Sequence, residues 1–256
     1  QDCRRTVVPL LSLPAPRSGW HGSYGRETSI AEVTGRLMAG LWLPMDAARA
    51  LAEYAAPQGD FTCGSERNNL LEGGEWITQR ALDTANFTVE NDALTLCGNG
   101  LDLCDRKMQR AASCSPAERA FTAETALEIP AAGTAGLTCY YDEHSYLKFG
   151  IGPENLLLEE YAGYEMFQGK QHRCLRAHPM FVCALRATVG NDILAMQDGT
   201  DWRTLWSIPE PRYLTSEGLQ CGKRFTGAMV GLYVHGASAV RFADWVAVWP
   251  HPEEKR

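Results

Sequence analysis

The frequency of turn residues constrains this chain more than any other feature. From about residue 60 onward, Gly, Asn, Asp and Pro interrupt the sequence at short intervals, and no apolar period of 3.6 residues is sustained. Short apolar runs between turn residues are typical of β-strands, whereas helices need longer periodic segments. The sequence therefore predicts an all-β antiparallel sandwich.

The individual strands can be placed from their alternation. Residues 121–129 put apolar side chains on one face and polar side chains on the other, as a strand with one buried face requires. Turn residues at 190–192 and 198–199 join three strands into a meander, because Asp-Gly supplies the positive φ that a tight hairpin needs. Further strands are predicted at 136–141, 146–151, 156–161, 181–189, 193–196, 202–206, 227–234 and 240–249.

The sequence changes character near residue 58. Residues 46–54 have helix propensity with Asp46 as the N-cap, and a Pro-Gln-Gly stretch ends that segment. The first 57 residues are too few for an independent core. The apolar stretch 37–45 must therefore be covered, either by the chain's own sandwich or by another polypeptide. We predict an N-terminal segment at 1–57 and a β-sandwich at 58–256.

Charge and hydropathy exclude two classes of partner. The chain has 24 Lys+Arg and 31 Asp+Glu, a net charge of 24 − 31 = −7, and no basic run longer than Arg4 and Arg5. A nucleic-acid backbone is recognised by concentrated positive charge, so no nucleic-acid partner is expected. No apolar run approaches the roughly 20 residues of a membrane helix, so no membrane span is expected.

The nine cysteines favour buried thiols over a metal site. The nearest approach to a zinc pattern has no Cys-x₂-Cys pair, and it consists of His172, Cys174, His178 and Cys183. Scattered core thiols are the favoured interpretation. Phosphate-loop and dinucleotide-binding fingerprints are absent from the sequence. We expect no metal and no cofactor.

The compartment stays open at this stage. An odd number of cysteines leaves at least one thiol unpaired within the chain, even in an oxidising environment. The sequence Asn86-Phe87-Thr88 is a glycosylation sequon, which matters only for a secreted protein. A cytoplasmic location is favoured, and secretion is compatible with the nine cysteines and with Asn86.

Several strings resemble one enzyme family in order and in approximate spacing. They are GRETSI at 25–30, LWL at 41–43, FTAET at 121–125, AGLTCYY at 135–141, YLKFG at 146–150, DGTDW at 198–202 and FTGAMVGL at 225–232. Together they resemble the C-terminal part of glycoside hydrolase family 43 β-xylosidases and α-L-arabinofuranosidases. In that family a five-bladed β-propeller carries the active site and a concanavalin A-like (jelly-roll) sandwich follows it. The resemblance implies that 60–250 form the sandwich and that 20–45, a short N-terminal β segment, resemble the last propeller strands.

The resemblance supplies no catalytic residue for this chain. Family members use a general-base Asp, a pKa-modulating Asp and a general-acid Glu from earlier propeller blades, and no part of this sequence matches those blades. Inverting hydrolysis needs two carboxyl groups about 6.5–9.5 Å apart. The acids at 142–143, 159–160, Asp198 and Asp201 are interpreted as ordinary solvated carboxylates, and none of the six histidines is accompanied by a Gly-x-Ser-x-Gly elbow. We expect no catalytic residues here.

Four residues are candidates for substrate binding. In relatives, a sandwich loop presents a Phe that helps to close the xylose-binding pocket, and the resemblance implies that Phe225 is this residue; the alternative is that Phe225 fills the core at a strand start. Arg224 precedes it, where relatives often have an aromatic residue or Gly. Trp202 and Tyr141 are candidate rings for sugar stacking, along with Tyr140, Trp206 and Tyr233, although strand alternation buries about half of such rings.

These observations leave three hypotheses for function. The first is a component of a hydrolase acting on xylo-oligosaccharides or arabinose-substituted substrates, inactive alone and completed by a propeller-bearing polypeptide or by self-association. The second is a stand-alone carbohydrate-binding, lectin-like module. The third is an inactive structural domain. An exposed Phe225 loop favours the first hypothesis, and a pair of exposed aromatic rings favours the second.

Overall fold

The computed structural model of the chain consists almost wholly of β-strands where it is described. The structure describes residues 6–12, 27–33, 35–38, 41–44, 76–78, 87–91, 93–98, 100–105, 111–116, 121–163, 165–173, 180–187, 192–197, 201–222, 227–236 and 239–248. The strands are β1 Thr6–Ser12, β2 Glu27–Val33, β3 Gly35–Met38, β4 Leu41–Pro44, β5 Trp76–Thr78, β6 Phe87–Glu90, β7 Ala93–Cys97, β8 Ala111–Pro116, β9 Phe121–Glu128, β10 Thr134–Asp142, β11 Ser145–Ile151, β12 Asn155–Ala162, β13 Glu165–Arg173, β14 Met180–Ala187, β15 Ile193–Gln197, β16 Arg203–Ile208, β17 Met229–His235 and β18 Ala239–Val248. A 3₁₀ helix at Arg212–Leu214 lies between β16 and β17.

The strands from β5 onward form two seven-stranded antiparallel sheets. Sheet I has the order β13-β12-β11-β10-β17-β8-β5, and sheet II has the order β16-β15-β14-β9-β18-β7-β6. The chain passes repeatedly from one sheet to the other, for example between β9 and β10 and between β13 and β14. The four earliest strands form two separate hairpins, β1 with β2 and β3 with β4. This architecture confirms the prediction of an all-β sandwich with a short N-terminal β segment.

The core lies between the two sheets and follows from alternation along the strands. In β10 the inward side chains are Ala135, Leu137, Cys139 and Tyr141, all of which belong to one buried cluster. Ring contacts join the sheets, since Phe149 of β11 meets Phe181 of β14 edge-on at 6.2 Å between ring centroids. Burial of such apolar surface is the main favourable contribution to folding.

The predicted strands are present, and the structure adds others. Strand β9 buries alternate side chains as expected, and β14, β15 and β16 form the predicted meander in neighbouring positions of sheet II. Strand β13 was not predicted, because nearly all of its side chains are exposed and it has no apolar face. The predicted helix at 46–54, the turn at 198–199 and residues 190–191 of the other turn lie outside the described part. The division at residue 58 stays a prediction.

Two of the cysteines are core thiols, as the sequence favoured. Cys139 and Cys183 are buried and not in disulfides. Burial raises the pKa of Cys139 to about 12 and also raises the pKa of Cys183, so both remain protonated thiols at neutral pH. Within the described residues, no helix has the length and apolar character that crossing a membrane requires.

Candidate functional site

The structure describes two of the four predicted substrate-binding residues. Tyr141 of β10 is only 4% exposed, and its side chain belongs to the core between the sheets. Trp202 directly precedes β16, at the edge of sheet II, and is 39% exposed. Arg224 and Phe225 lie outside the described residues. The structure therefore places Tyr141 and Trp202 on different sheets and buries one of them, and the binding roles of all four residues stay predictions.

The other rings considered for sugar stacking offer little open surface. Tyr140 and Trp206 are half-buried, and Tyr233 is buried. Trp206 meets Phe149 edge-on at 5.9 Å, which ties it to the core. Among these described rings there is no exposed pair of the kind that would favour the lectin-like hypothesis.

A cleft opens at the edge of the sandwich, where β12 and β13 of sheet I face β16 of sheet II. Its volume is about 530 Å³, within the range of small-molecule pockets. The connection from β16 through the 3₁₀ helix to residue 220 closes its third side. We call it the edge cleft; the side chains that matter below are Glu160, Phe167, Gln168, Lys170, Tyr213 and Gln220.

A buried carboxyl group lies in the wall of the edge cleft. Glu160 of β12 is 4% exposed, and the Tyr213 hydroxyl donates a hydrogen bond of 2.9 Å to its Oε2. Burial raises the pKa of Glu160, whereas the hydrogen bond from Tyr213 and the charge of Lys170 act in the opposite direction. Burial and the adjacent Glu160 likewise hold the pKa of Tyr213 well above its ordinary value. The pair is thus a fixed hydrogen-bonding unit whose acid is easier to protonate than a solvated Glu.

A β-bulge in the edge strand β13 places an aromatic ring above this pair. Glu160 is opposite Gln168 and Tyr161 is opposite Met166, so Phe167 is the extra residue without a cross-strand partner. Bulges redirect side chains in this way and recur beside functional sites. Phe167 packs edge-to-face on Tyr213, with ring centroids 5.2 Å apart, yet 54% of it is exposed. The edge cleft therefore has an open aromatic ring at its rim.

The chain is anchored immediately before the segment that contains Arg224 and Phe225. Gly222 has a φ of +98°, and a Cβ at this position would clash with the Asp142 carboxylate. Asp142 is itself fixed, because its Oδ1 accepts a 2.8 Å hydrogen bond from the backbone N–H of His144. Burial and the neighbouring carboxylates raise the pKa of Cys221. Gly222 is thus set against the turn between β10 and β11.

A second polar cluster occupies the outer face of sheet I. Lys148 is 1% exposed, and its Nζ lies 2.8 Å from Asp102 Oδ2 and 2.8 Å from Glu159 Oε2. The same Nζ lies 5.0 Å from the ring centroid of Tyr161 and 5.7 Å from that of Tyr233. Burial by itself lowers the pKa of Lys148, but the neighbouring groups, Asp102 foremost, outweigh burial and the pKa is raised. This cluster holds the segment 100–105 on sheet I, which is a structural role.

Two of the carboxylates were interpreted wrongly from the sequence. The sequence predicts solvated acids at Asp142 and Glu160, yet both are buried, at 5% and 4% exposure. For Glu160 the signal was present, because it continues the inward alternation of Leu156 and Leu158 along β12. Phe167 was also missed, and no alternation in β13 marks it. Within the described ranges, no group of three or more His, Cys, Asp or Glu side chains is arranged to hold a metal ion.

The fold and the sequence together define the class of this protein. Residues 72–246, more than half of the chain, match the family described as the beta xylosidase C-terminal concanavalin A-like domain. The chain belongs to this family. The resemblance seen in the sequence and the concanavalin-like nature of the sandwich are thereby confirmed.

Solved structures of family 43 proteins share this fold. The GH43 protein BlXynB of Bacillus licheniformis is 19% identical, with a TM-score of 0.74 over 91% of this chain and 49% of its own. A xylan beta-1,4-xylosidase of Bacillus halodurans C-125 is 18% identical, with a TM-score of 0.72 over 91% of this chain and 49% of its own. The Bacteroides ovatus protein Xyloglucan PUL GH43B is 19% identical, with a TM-score of 0.67 over 87% of this chain and 47% of its own. This chain spans about half the length of these proteins, and no curated protein sequence is similar enough to count as a match.

Proposed function

We propose that this chain is the sandwich component of a β-xylosidase- or α-L-arabinofuranosidase-type glycoside hydrolase acting on xylan-derived oligosaccharides. In this proposal the catalytic carboxylates come from a β-propeller, either joined to this chain or on a separate polypeptide. The sandwich completes the substrate pocket through Phe225. The observation that carries the proposal is the match of residues 72–246 to the C-terminal domain of beta xylosidases.

Three of the described carboxylates, at 102, 159 and 160, support a catalytic site located elsewhere. Asp102 and Glu159 are paired with Lys148, which leaves neither free to act as an acid or a base. Glu160 lies on the other face of sheet I from Glu159, and it accepts a hydrogen bond from Tyr213 there. Inverting hydrolysis needs two carboxyl groups that face each other across a sugar-sized gap, and adjacent residues on opposite sheet faces do not provide this arrangement.

The anchored end of the sandwich supports the assignment of the pocket-closing residue. A side chain that completes a pocket on another domain must be held in a fixed position by the backbone next to it. If the side chain is misplaced, its contact with the substrate is weakened. Gly222 and Asp142 provide such a fixed position directly before the segment 223–226. This is why Phe225, and not a residue on the sheets, is the proposed contact with substrate.

The first test is the release of nitrophenol from aryl β-xyloside and aryl α-arabinofuranoside. We expect no turnover by the purified chain alone, with the Bacillus halodurans xylosidase as the positive control. With the propeller polypeptide supplied, we expect turnover, and Phe225→Ala should raise KM roughly tenfold through the loss of an aromatic contact. Lys223→Ala serves as the neighbouring control and should leave KM within about twofold. Activity of the chain alone that survives repurification contradicts the proposal.

A further inference from the structure

We propose that the edge cleft is a binding site for a neutral saccharide, with Phe167 as its stacking ring. The site lies wholly within the described sandwich and requires neither a propeller nor Phe225. The proposal therefore goes beyond the proposed function, and the two can fail independently.

The aromatic part of the argument rests on how Phe167 is held. The bulge leaves it without a cross-strand partner, and its contact with Tyr213 fixes the ring while 54% of its surface remains open. A large apolar side chain exposed at the rim of a cavity is a common mark of a binding site. Sugars have apolar faces of C–H groups that pack against such a ring. A ring that is both fixed and open binds a ligand with little loss of side-chain entropy.

The polar part of the argument rests on the residues beside the ring. Glu160 and Gln168 are directly opposite each other in the register of β12 and β13, and Lys170 follows two residues later on the same strand. Together they offer a carboxyl, an amide and an ammonium group to the same cavity. Sugar hydroxyls both donate and accept hydrogen bonds, so one polyhydroxylated ligand satisfies all three groups. The carboxyl is buried and fixed by Tyr213, which gives the site a positioned polar group.

The charges of the lining favour a neutral ligand over an ionic one. The acids Glu160 and Glu210 are balanced by the bases Lys170 and Arg212. The exposed pair Arg212 and Glu210 is already in contact, with Nη2 3.2 Å from Oε2. A phosphate or an acidic sugar needs a surplus of positive charge, which this lining does not have. A non-polar peptide segment is also disfavoured, because it would leave the carboxyl, amide and ammonium groups without water or partners.

The test is a titration of the full chain, without any propeller, with xylotriose and with galacturonic acid trimer as the charged comparison. Binding is measured by NMR or calorimetry. We expect saturable binding of xylotriose and no binding of the acidic trimer. Phe167→Ala should weaken binding roughly fivefold to tenfold. Met166→Ala is the matched control, because Met166 is 51% exposed, adjacent to Phe167 and absent from the cleft lining. It should leave the affinity unchanged within about twofold.

A second variant keeps the proposal testable if Phe167→Ala disturbs the strand. Gln168→Ala removes one exposed amide facing the cleft and should also weaken binding, with thermal unfolding as the check on folding. Equal affinities of Phe167→Ala and Met166→Ala overturn the proposal, as does the absence of xylotriose binding by the folded chain. A chain that restores hydrolysis with the propeller but binds no sugar alone overturns the cleft site and leaves the proposed function intact.

Discussion

Glu160 shows how one buried side chain links the fold to its candidate site. Alternation along β12 turns it inward, and its burial would be costly without the hydrogen bond from Tyr213. Because burial raises the pKa of Glu160, protonation is easier in the folded than in the unfolded chain. A carboxyl group with such a raised pKa stabilises the fold most at pH values below its pKa in the unfolded chain. This contribution is lost as the pH rises through its pKa in the folded chain.

Replacing Glu160→Gln should therefore change stability in a pH-dependent way. The variant keeps an oxygen that accepts the bond from Tyr213 but never becomes charged. We expect it to match the original chain near pH 4 and to become relatively more stable toward pH 8, by about 1.4 kcal/mol for each unit of raised pKa. Thermal unfolding across this pH range measures the difference. Glu128→Gln, at an exposed position of β9, is the control and should show no such trend.

At the scale of single elements, the interior strand β11 of sheet I carries a charge that sheet interiors rarely hold. Its Lys148 faces the outer side of sheet I, where Asp102 covers it from the segment 100–105. The backbone N–H of Asp102 is in turn bonded to Asp105 Oδ2 at 2.8 Å, so the covering segment is closed on itself. A buried lysine is tolerated only when carboxylates pair with it, and removal of one partner leaves an uncompensated charge.

We expect Lys148→Met to destabilise the chain and to release this segment. The free energy of unfolding should fall by about 3 kcal/mol. This value is toward the lower end for buried ion pairs, because Asp102 and Glu159 are partly exposed. It corresponds to a fall of roughly 6–12 °C in Tm. Hydrogen exchange at 100–105 should accelerate more than exchange in β14. Arg203→Met, an exposed cation at the start of β16, is the control. Unchanged exchange at 100–105 would show that Lys148 does not hold the segment.

Most strands with one apolar face could be predicted from the sequence, and the strand without such a face could not. Strands β6 and β7 are exceptions, because they have apolar residues on one face and were not predicted. Alternation located β9 to β12 and β14 to β18, since their inward residues are apolar. Strand β13 has a polar sequence because it lies at an edge and is exposed on both faces, and its bulge depends on pairing with β12. The edge cleft was not predictable for the same reason. Its walls come from two separate stretches of the chain, 160–170 and 207–220, which belong to different sheets and meet only where the sheets stack.

At the scale of the whole molecule, both sheets are assembled from β5 onward. The N-terminal strands β1 to β4 pair only among themselves, as two hairpins, and contribute no hydrogen-bonded strand to sheet I or sheet II. Strand β5 is the outermost strand of sheet I, and β6 is the outermost strand of sheet II. The family match from residue 72 begins just before these strands. Among the described residues, the hydrogen-bonded framework of the sandwich thus begins at β5.

Removal of residues 1–57 should therefore leave the sandwich folded. We expect the chain 58–256 to unfold in one cooperative transition with a Tm within about 2 °C of the full chain, because no strand of either sheet is lost. Removal of residues 1–98 is the matched comparison. It deletes β5, β6 and β7, so that β18 loses one of its hydrogen-bonded neighbours. This deletion should abolish the cooperative transition. Calorimetry of the three chains distinguishes the cases. A large fall in Tm for 58–256 would mean that the N-terminal segment packs on this sandwich, and that the apolar stretch 37–45 is covered by the chain itself and not by a propeller.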